Sequence, residues 1–179
     1  MATVQLKLEN VQIALSTLLT AKPFKNTPPR FSATFQVAKG SKQDKALWKA
    51  IEEAAEQAWG KKGAAKVEAF KPVKQQFCVQ DGDKSDFEPS HGTWRITAHR
   101  SEKHGAPELR TRKNTPITQE GVIYDGCFVN ADLDIWTQDG ENPGIRCGLV
   151  GVQFVEDGPA FGGARKGSSF GSLETDDEV

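Results

Sequence analysis

Residues 124–164, YDGCFVNADLDIWTQDGENPGIRCGLVGVQFVEDGPAFGGA, decide the fold. Apolar residues alternate from Cys127: Cys127, Val129, Ala131, Leu133 and Ile135 point one way. Phe128, Asn130, Asp132, Asp134 and Trp136 point the other. This is the period-two pattern of a half-buried strand. Residues 137–144 collect Gln, Asp, Gly, Glu, Asn, Pro and Gly, so the chain turns there. A second strand follows over residues 145–155, with Gly148 and Gly151 inside it. Internal glycines in a strand mark a bulge, a sharp coil or the close approach of another backbone. A long, bent, twisted hairpin of this kind is what a small closed barrel needs.

Working outward, the clearest strand is residues 31–37, where Phe31, Ala33, Phe35 and Val37 alternate with Ser32, Thr34 and Gln36. Residues 3–19 alternate in two pieces, Val4, Leu6, Leu8 and then Val11, Ile13, Leu15. They read as extended, with 11–19 also compatible with a short helix. Residues 20–30, TAKPFKNTPPR, form a loop by their prolines and present Phe24 among Lys22, Lys25 and Arg30. Ser41 caps a helix with Asp44 three residues on. The helix runs to about Trp59 on a stripe of Leu47, Ala50, Ile51, Ala54, Ala58 and Trp59, and Gly60 and Gly63 signal its stop. Trp48 lies off the stripe's centre, at the core edge or on a partner surface. Strand pieces are expected over 75–80 and 108–113, and a full strand over 93–100, TWRITAHR. The loop 80–92 is acidic, but its spacing from Asp81 fails the EF-hand pattern.

One domain of 1–161 with a Gly/Ser-rich acidic tail of 162–179 accounts for the 179 residues. Hydrophobic content of 37% points to a modest core with much loop. No apolar run approaches the ~20 residues that cross a bilayer. The start lacks a basic region followed by an apolar block, so no secretory signal is expected. Cys78, Cys127 and Cys147 lack CxxC spacing and read as reduced, buried thiols of a cytosolic protein. Net charge is −1, but Glu174, Asp176, Asp177 and Glu178 crowd the tail. Taking these four from the 24 acids leaves 20 against 23 bases, a mildly basic body. Arg95, Arg100, Lys103, Arg110, Arg112 and Lys113 against Glu102 and Glu108 make residues 95–113 the strongest basic concentration.

The runs YDGCFVNA and GVQFVEDGPAFGGA resemble the single-stranded DNA-binding proteins of tailed bacteriophages, a family first catalogued as a domain of unknown function. The resemblance extends from about Arg30 to Ala164. It implies an OB-fold barrel and sequence-tolerant binding of single-stranded DNA in the cytoplasm of an infected bacterium. It also implies that the acidic tail recruits replication partners and screens the DNA site. The tail departs from that pattern by ending in Glu178-Val179 rather than in an aromatic residue.

The fold expected is therefore mainly β with one α-helix, an OB-fold-like five-stranded barrel with extra hairpins and a disordered acidic C-terminal tail. Aromatics on a sheet stack on bases without reading sequence, while Lys and Arg neutralise phosphates. Strand faces and charge nominate Lys22, Phe24, Arg30, Trp94, Arg95, Arg100, Arg110, Arg112, Lys113 and Tyr124 for DNA. Trp136 ranks behind Tyr124, because Asp132 and Asp134 share its face. No cofactor and no metal is expected: His91, His99 and His104 are scattered, and no HExxH, GxSxG or Walker loop is present. Two other readings stay open. Asp132 and Asp134 with Asp125 or Glu156 would hold Mg²⁺ in a nuclease. Phe128 and Trp136 would form a protein-interaction surface, with a homodimer as its simplest product.

Overall fold

The alternation that starts at Cys127 is a strand whose inward residues are sealed from water: Cys127, Val129, Leu133 and Ile135 are 0% exposed. The structure, a computed structural model, describes residues 2–23 and 25–161. Phe24 and the tail of 162–179, including Glu174, Asp176, Asp177 and Glu178, lie outside the described residues. The chain runs β1 (Thr3–Lys22), β2 (Arg30–Ala38), α1 (Lys42–Trp59), α2 (Gly63–Phe70), β3 (Val79–Asp81), β4 (Thr93–Ser101), β5 (Glu108–Arg110), β6 (Phe128–Gln138) and β7 (Gly144–Glu156).

Five of these strands close a barrel. The order is β4-β2-β1-β6-β7, and β7 returns to β4 through a parallel contact between Gly148 and His99. Strand β3 extends the sheet beside β4, and β5 runs parallel to β7. The length of β1 makes closure possible. Its first half pairs with β6 and its second half with β2, and Gln12 has a partner on both sides. Register shifts after Leu8 and after Ala14 bend it, and Asn10 and Leu15 carry positive φ of 53° and 49° beside them. Bulges of this kind increase twist and turn a flat sheet into a closed one. Residues 11–19 are thus strand rather than helix. Leu15, 65% exposed and left-handed, tolerates that conformation only because the paired segments on either side impose it.

Helix α1 packs over β1 and β6. The Ser41 hydroxyl accepts from the Asp44 amide, and Asp44 accepts from the Gly40 amide, so two orphan donors at the helix start are satisfied. Its buried face is Leu47, Ala50, Ile51, Ala54 and Ala55, with Ala55 taking the place expected of Ala58. Gly60 ends α1 with φ 55°. Gly63 does not end anything. A Cβ on it would lie 2.8 Å from the Ala55 carbonyl oxygen, so this glycine lets the short helix α2 lean on the backbone of α1. Gly151 marks a close approach as expected: a Cβ there would sit 3.2 Å from the Glu108 carbonyl oxygen of β5.

Trp48 edges the core. Its ring stacks on Phe77 at 5.9 Å and meets Trp94 edge-on at 5.2 Å. The acidic loop after β3 has a structural use: Lys39 reaches Asp81 at 2.6 Å and Asp83 at 2.7 Å. The two carboxyls, bonded to the ammonium, are held below the usual carboxylate range, and Lys39 is raised by the same bonds. Among the described residues no helix is long and apolar enough to cross a membrane. All three cysteines are free thiols, Cys127 and Cys147 buried and Cys78 half-buried.

Leu133 touches the barrel centre with no exposure. Leu133→Ala should cost about 2–5 kcal/mol, read as a lower urea midpoint with an unchanged denaturant slope.

Candidate nucleic-acid interface

Where β4 meets β7, the outward residues of three strands form one face. Strand β4 contributes Arg95, Thr97, His99 and Ser101, the residues opposite in parity to its buried Ile96 and Ala98. Strand β7 contributes Arg146, Gly148 and Val150, and β6 contributes Asp134 and Trp136, which pair with Gly148 and Arg146. The loop before β2 rises beside them, with the Pro29 carbonyl oxygen accepting from the Glu102 amide at 3.2 Å. Between the walls lies an open groove of about 590 Å³, lined among others by Pro28, Pro29, Arg30, His99, Arg100, Asp134, Trp136 and Gly148. A second groove of about 360 Å³ shares Val150 with the first and continues past Lys7, Arg110, Asn114, Asp132 and Gly151.

The cations are held in place. Arg100 donates from Nε to the Gly105 carbonyl at 2.8 Å and from Nη2 to the His104 carbonyl at 2.7 Å. Arg146 donates to the carbonyls of Gln75 and Asn142. Arg110 meets Glu108 at 3.3 Å. Burial lowers the pKa of Arg30 and of Arg95. Among the described residues, the Nε atoms of Arg95 and Arg146 and the Nδ1 of His99 are buried without a hydrogen-bond partner. Burial, with Arg30 and Arg146 nearby, pushes His99 down to about 4, so its ring is neutral at pH 7. Burial, and then the charge of Asp132, raises Asp134.

The sequence-nominated residues fall in several places. Arg30 and Arg100 line the first groove, and Arg95 shares its strand face. Arg110 lines the second groove, with Arg112 and Lys113 exposed on the turn that follows. Lys22 pairs across β1 and β2 with Arg30 and borders a separate hollow of about 100 Å³ near Leu109 and Ile117. Trp94 is set into the helix–barrel contact, its ring 4.3 Å from Lys39 Nζ. Tyr124 precedes β6 rather than belonging to it, and its hydroxyl donates to Asp157 at 2.7 Å. Phe24 lies outside the described residues. Sequence reasoning left out His99, Arg146 and the Pro28–Pro29 wall. His99 was within reach, since it shares the alternation of Arg95 and Thr97.

The strand acids do not converge. Asp125 accepts from the Ser16 amide and hydroxyl, at 3.1 and 2.7 Å, and Asp132 from Gln5 Nε2 at 3.0 Å. Glu156 stands opposite Phe128, at the other end of β6 from Asp134. Among the described residues, no three His, Cys, Asp or Glu side chains are grouped to hold a metal ion.

The family model described as the single-stranded DNA-binding protein of Enterobacter phage Enc34 matches residues 4–179. The chain belongs to the Enc34 single-stranded DNA-binding protein family. Within that comparison, the structure of the bacteriophage Enc34 protein is 26% identical, with a TM-score of 0.70 over 90% of this chain and 86% of that one. The same Enc34 protein in complex with single-stranded DNA gives a TM-score of 0.72 at 24% identity, over 88% and 89% of the two chains. The protein gp2.5 of bacteriophage T7, described as single-stranded DNA binding, shares the fold at 12% identity, with a TM-score of 0.61 over 96% and 99%. Protein p50 of Acyrthosiphon pisum secondary endosymbiont phage 1 is 28% identical over 97% of this chain and 96% of its own. The Enc34 family is one of binding proteins, not of enzymes.

His99 gives the interface a pH signature. Its folded-state pKa of about 4 lies below the ordinary 6.5, so the unfolded chain takes up the proton first as pH falls. The stability it confers is full above pH 6.5 and is lost between 6.5 and 4. The urea midpoint should fall across this window, and His99→Gln should flatten the fall.

Proposed function

We propose that this protein binds single-stranded DNA without reading base sequence, by phosphate neutralisation together with base stacking. The observation that carries the reading is the pair of grooves joined at Val150, with Arg30 and Arg100 on one and Arg110 on the other. Spaced cations on a curved sheet face suit a polyanion. Membership in a family of phage single-stranded DNA-binding proteins supports the unpaired strand as ligand. Arg112 and Lys113 extend the track on their exposed turn, and Lys22, Phe24, Arg95, Trp94 and Tyr124 are kept as peripheral contacts for test.

The setting proposed is phage DNA replication or recombination in the cytoplasm of the infected host. Residues 174–178, with four acids, screen the cationic face and recruit replication proteins. Asp132 and Asp134, which line the two grooves, set the polarity of the track: phosphates run along its arginine side and away from β6.

Titration of poly(dT) across a salt series tests the reading. Five cations, Arg30, Arg100, Arg110, Arg112 and Lys113, imply a slope of log K on log salt of about −3.5. Substituting Arg30 and Arg110 together by Ala should make the slope shallower by about 1.4. A flat salt dependence in the parent protein would remove the proposal. Deleting residues 172–179 should tighten binding, most at low salt, and unchanged affinity would reject the screening role.

A further inference from the structure

Residues 61–74, KKGAAKVEAFKPVK, hold five lysines and one acid, Glu68. They make up α2 and its two flanks, and none of them lines either groove. Glu68 is already engaged by Lys71 at 2.6 Å. Lys61, Lys62 and Lys74 are exposed, and among the described residues their ammonium groups make no hydrogen bond, ion pair or ring contact. This placement does not help the fold. Lys61 and Lys62 stand at the start of α2, whose first turn holds no acid, although a helix dipole favours anions there. Lys62 and Lys66 are four residues apart, the spacing at which like charges repel along a helix.

Backbone contacts join this lysine face to the larger groove. Phe77 bridges to Ile145 of β7, and Arg146 donates to the Gln75 carbonyl. A Cβ on Gly144 would lie 2.5 Å from the Gln76 carbonyl oxygen, so glycine there lets residues 75–77 lie against the start of β7. Arg146 stands opposite Trp136, which lines the groove. Lys74 is thus one residue from a segment fixed to the groove's edge. The face differs from the groove in one respect: its cations come without a free ring. Lys66 Nζ lies 5.3 Å over Trp59, which also packs on Phe70. Lys71 Nζ lies 5.0 Å over Trp48, which also meets Phe77 and Trp94. On the far side, Glu52 and Glu56 of α1 border the hollow between the two helices together with Lys61 and Lys71, and there the cationic surface ends. Ammonium groups without an open π-face recognise phosphates and not bases.

Resting on the reading of the protein as a single-stranded DNA binder, we infer that the α2 face, through Lys61, Lys62 and Lys74, is a second site for the phosphodiester backbone of DNA that runs off the groove. It takes phosphates irrespective of base and of pairing, so it lengthens the DNA track without narrowing what the protein binds.

The test uses the full chain, with DNA in excess so that each strand carries one protein. Three ligands are compared: oligo(dT) of about 6 nucleotides, inside the range of ~4–16 held by one OB fold, oligo(dT) of about 30, beyond that range, and the short oligo(dT) joined to a blunt duplex. The triple variant Lys61→Gln, Lys62→Gln, Lys74→Gln should bind the short strand as the parent does. On the long strand its slope of log K on log salt should be shallower by about 2, with affinity lower by roughly tenfold at low salt. Ala69→Lys adds a cation at an exposed position of α2 and should steepen the long-strand slope by about 0.7, leaving the short strand unchanged. The same loss on the duplex-joined ligand assigns paired phosphates to the face as well; loss on the long strand alone assigns it to unpaired backbone. If both variants bind the long and duplex-joined ligands with the parent's affinity and slope, the second site is overturned, and short-strand binding by the grooves stands. A triple variant that loses the short strand and lowers its urea midpoint has misfolded, and Ala69→Lys then decides. A parent that fails to bind the short strand overturns the reading on which the inference rests.

Discussion

Closure of the barrel rests on one strand being asked to do two jobs. Strand β1 has 20 residues and lies between β2 and β6, and its three register shifts supply the curvature that brings β7 round to β4. Without those shifts the same hydrogen bonds would build an open sheet, with most of β4 and β7 unpaired beyond the three-residue strands β3 and β5. Edge strands invite pairing with other chains, and a closed barrel removes them. The grooved face follows from closure, because the groove lies across the seam that closure creates.

That seam is polar on the outside for a reason. Residues facing out on β4 and β7 cannot join the core, and the walls of loop and hairpin keep them half-dry. Half-burial without counter-charge is costly for arginine and histidine. Here the cost falls on Arg95, whose Nε has no hydrogen-bond partner among the described residues, and on His99, which stays neutral beside two arginines. The acids on the same sheet, Asp132 and Asp134, line the two grooves beside these cations.

Much of this was legible in the chain. Period-two runs gave the inward faces of β2 and β6 residue by residue, and Ser41 with Asp44 placed the start of α1. The misses share a cause: glycine and backbone pairing mean different things in different tertiary settings. Gly63 reads as a helix stop and is in fact a contact between two helices. Residues 11–19 carry a spacing that suits helix or strand, and only the two neighbouring strands resolve it. For the site, charge density along the sequence found Arg100 and Arg110 but could not show that Trp94 turns into the helix contact while Trp136 turns into the groove. Which of two aromatic residues faces outward depends on what packs over each sheet face, and that information is spread over α1, β3 and the loop before β2.

The turn between β6 and β7 is moored twice, by Trp59 to Asp139 and by Arg146 to Asn142. The hairpin end is consequently ordered by the fold itself. Its loss of freedom is charged to the chain once, at folding. Helix α1 lends Trp59 to that end and so acts as an outrigger for the long hairpin whose strands carry Asp134, Trp136 and Gly148.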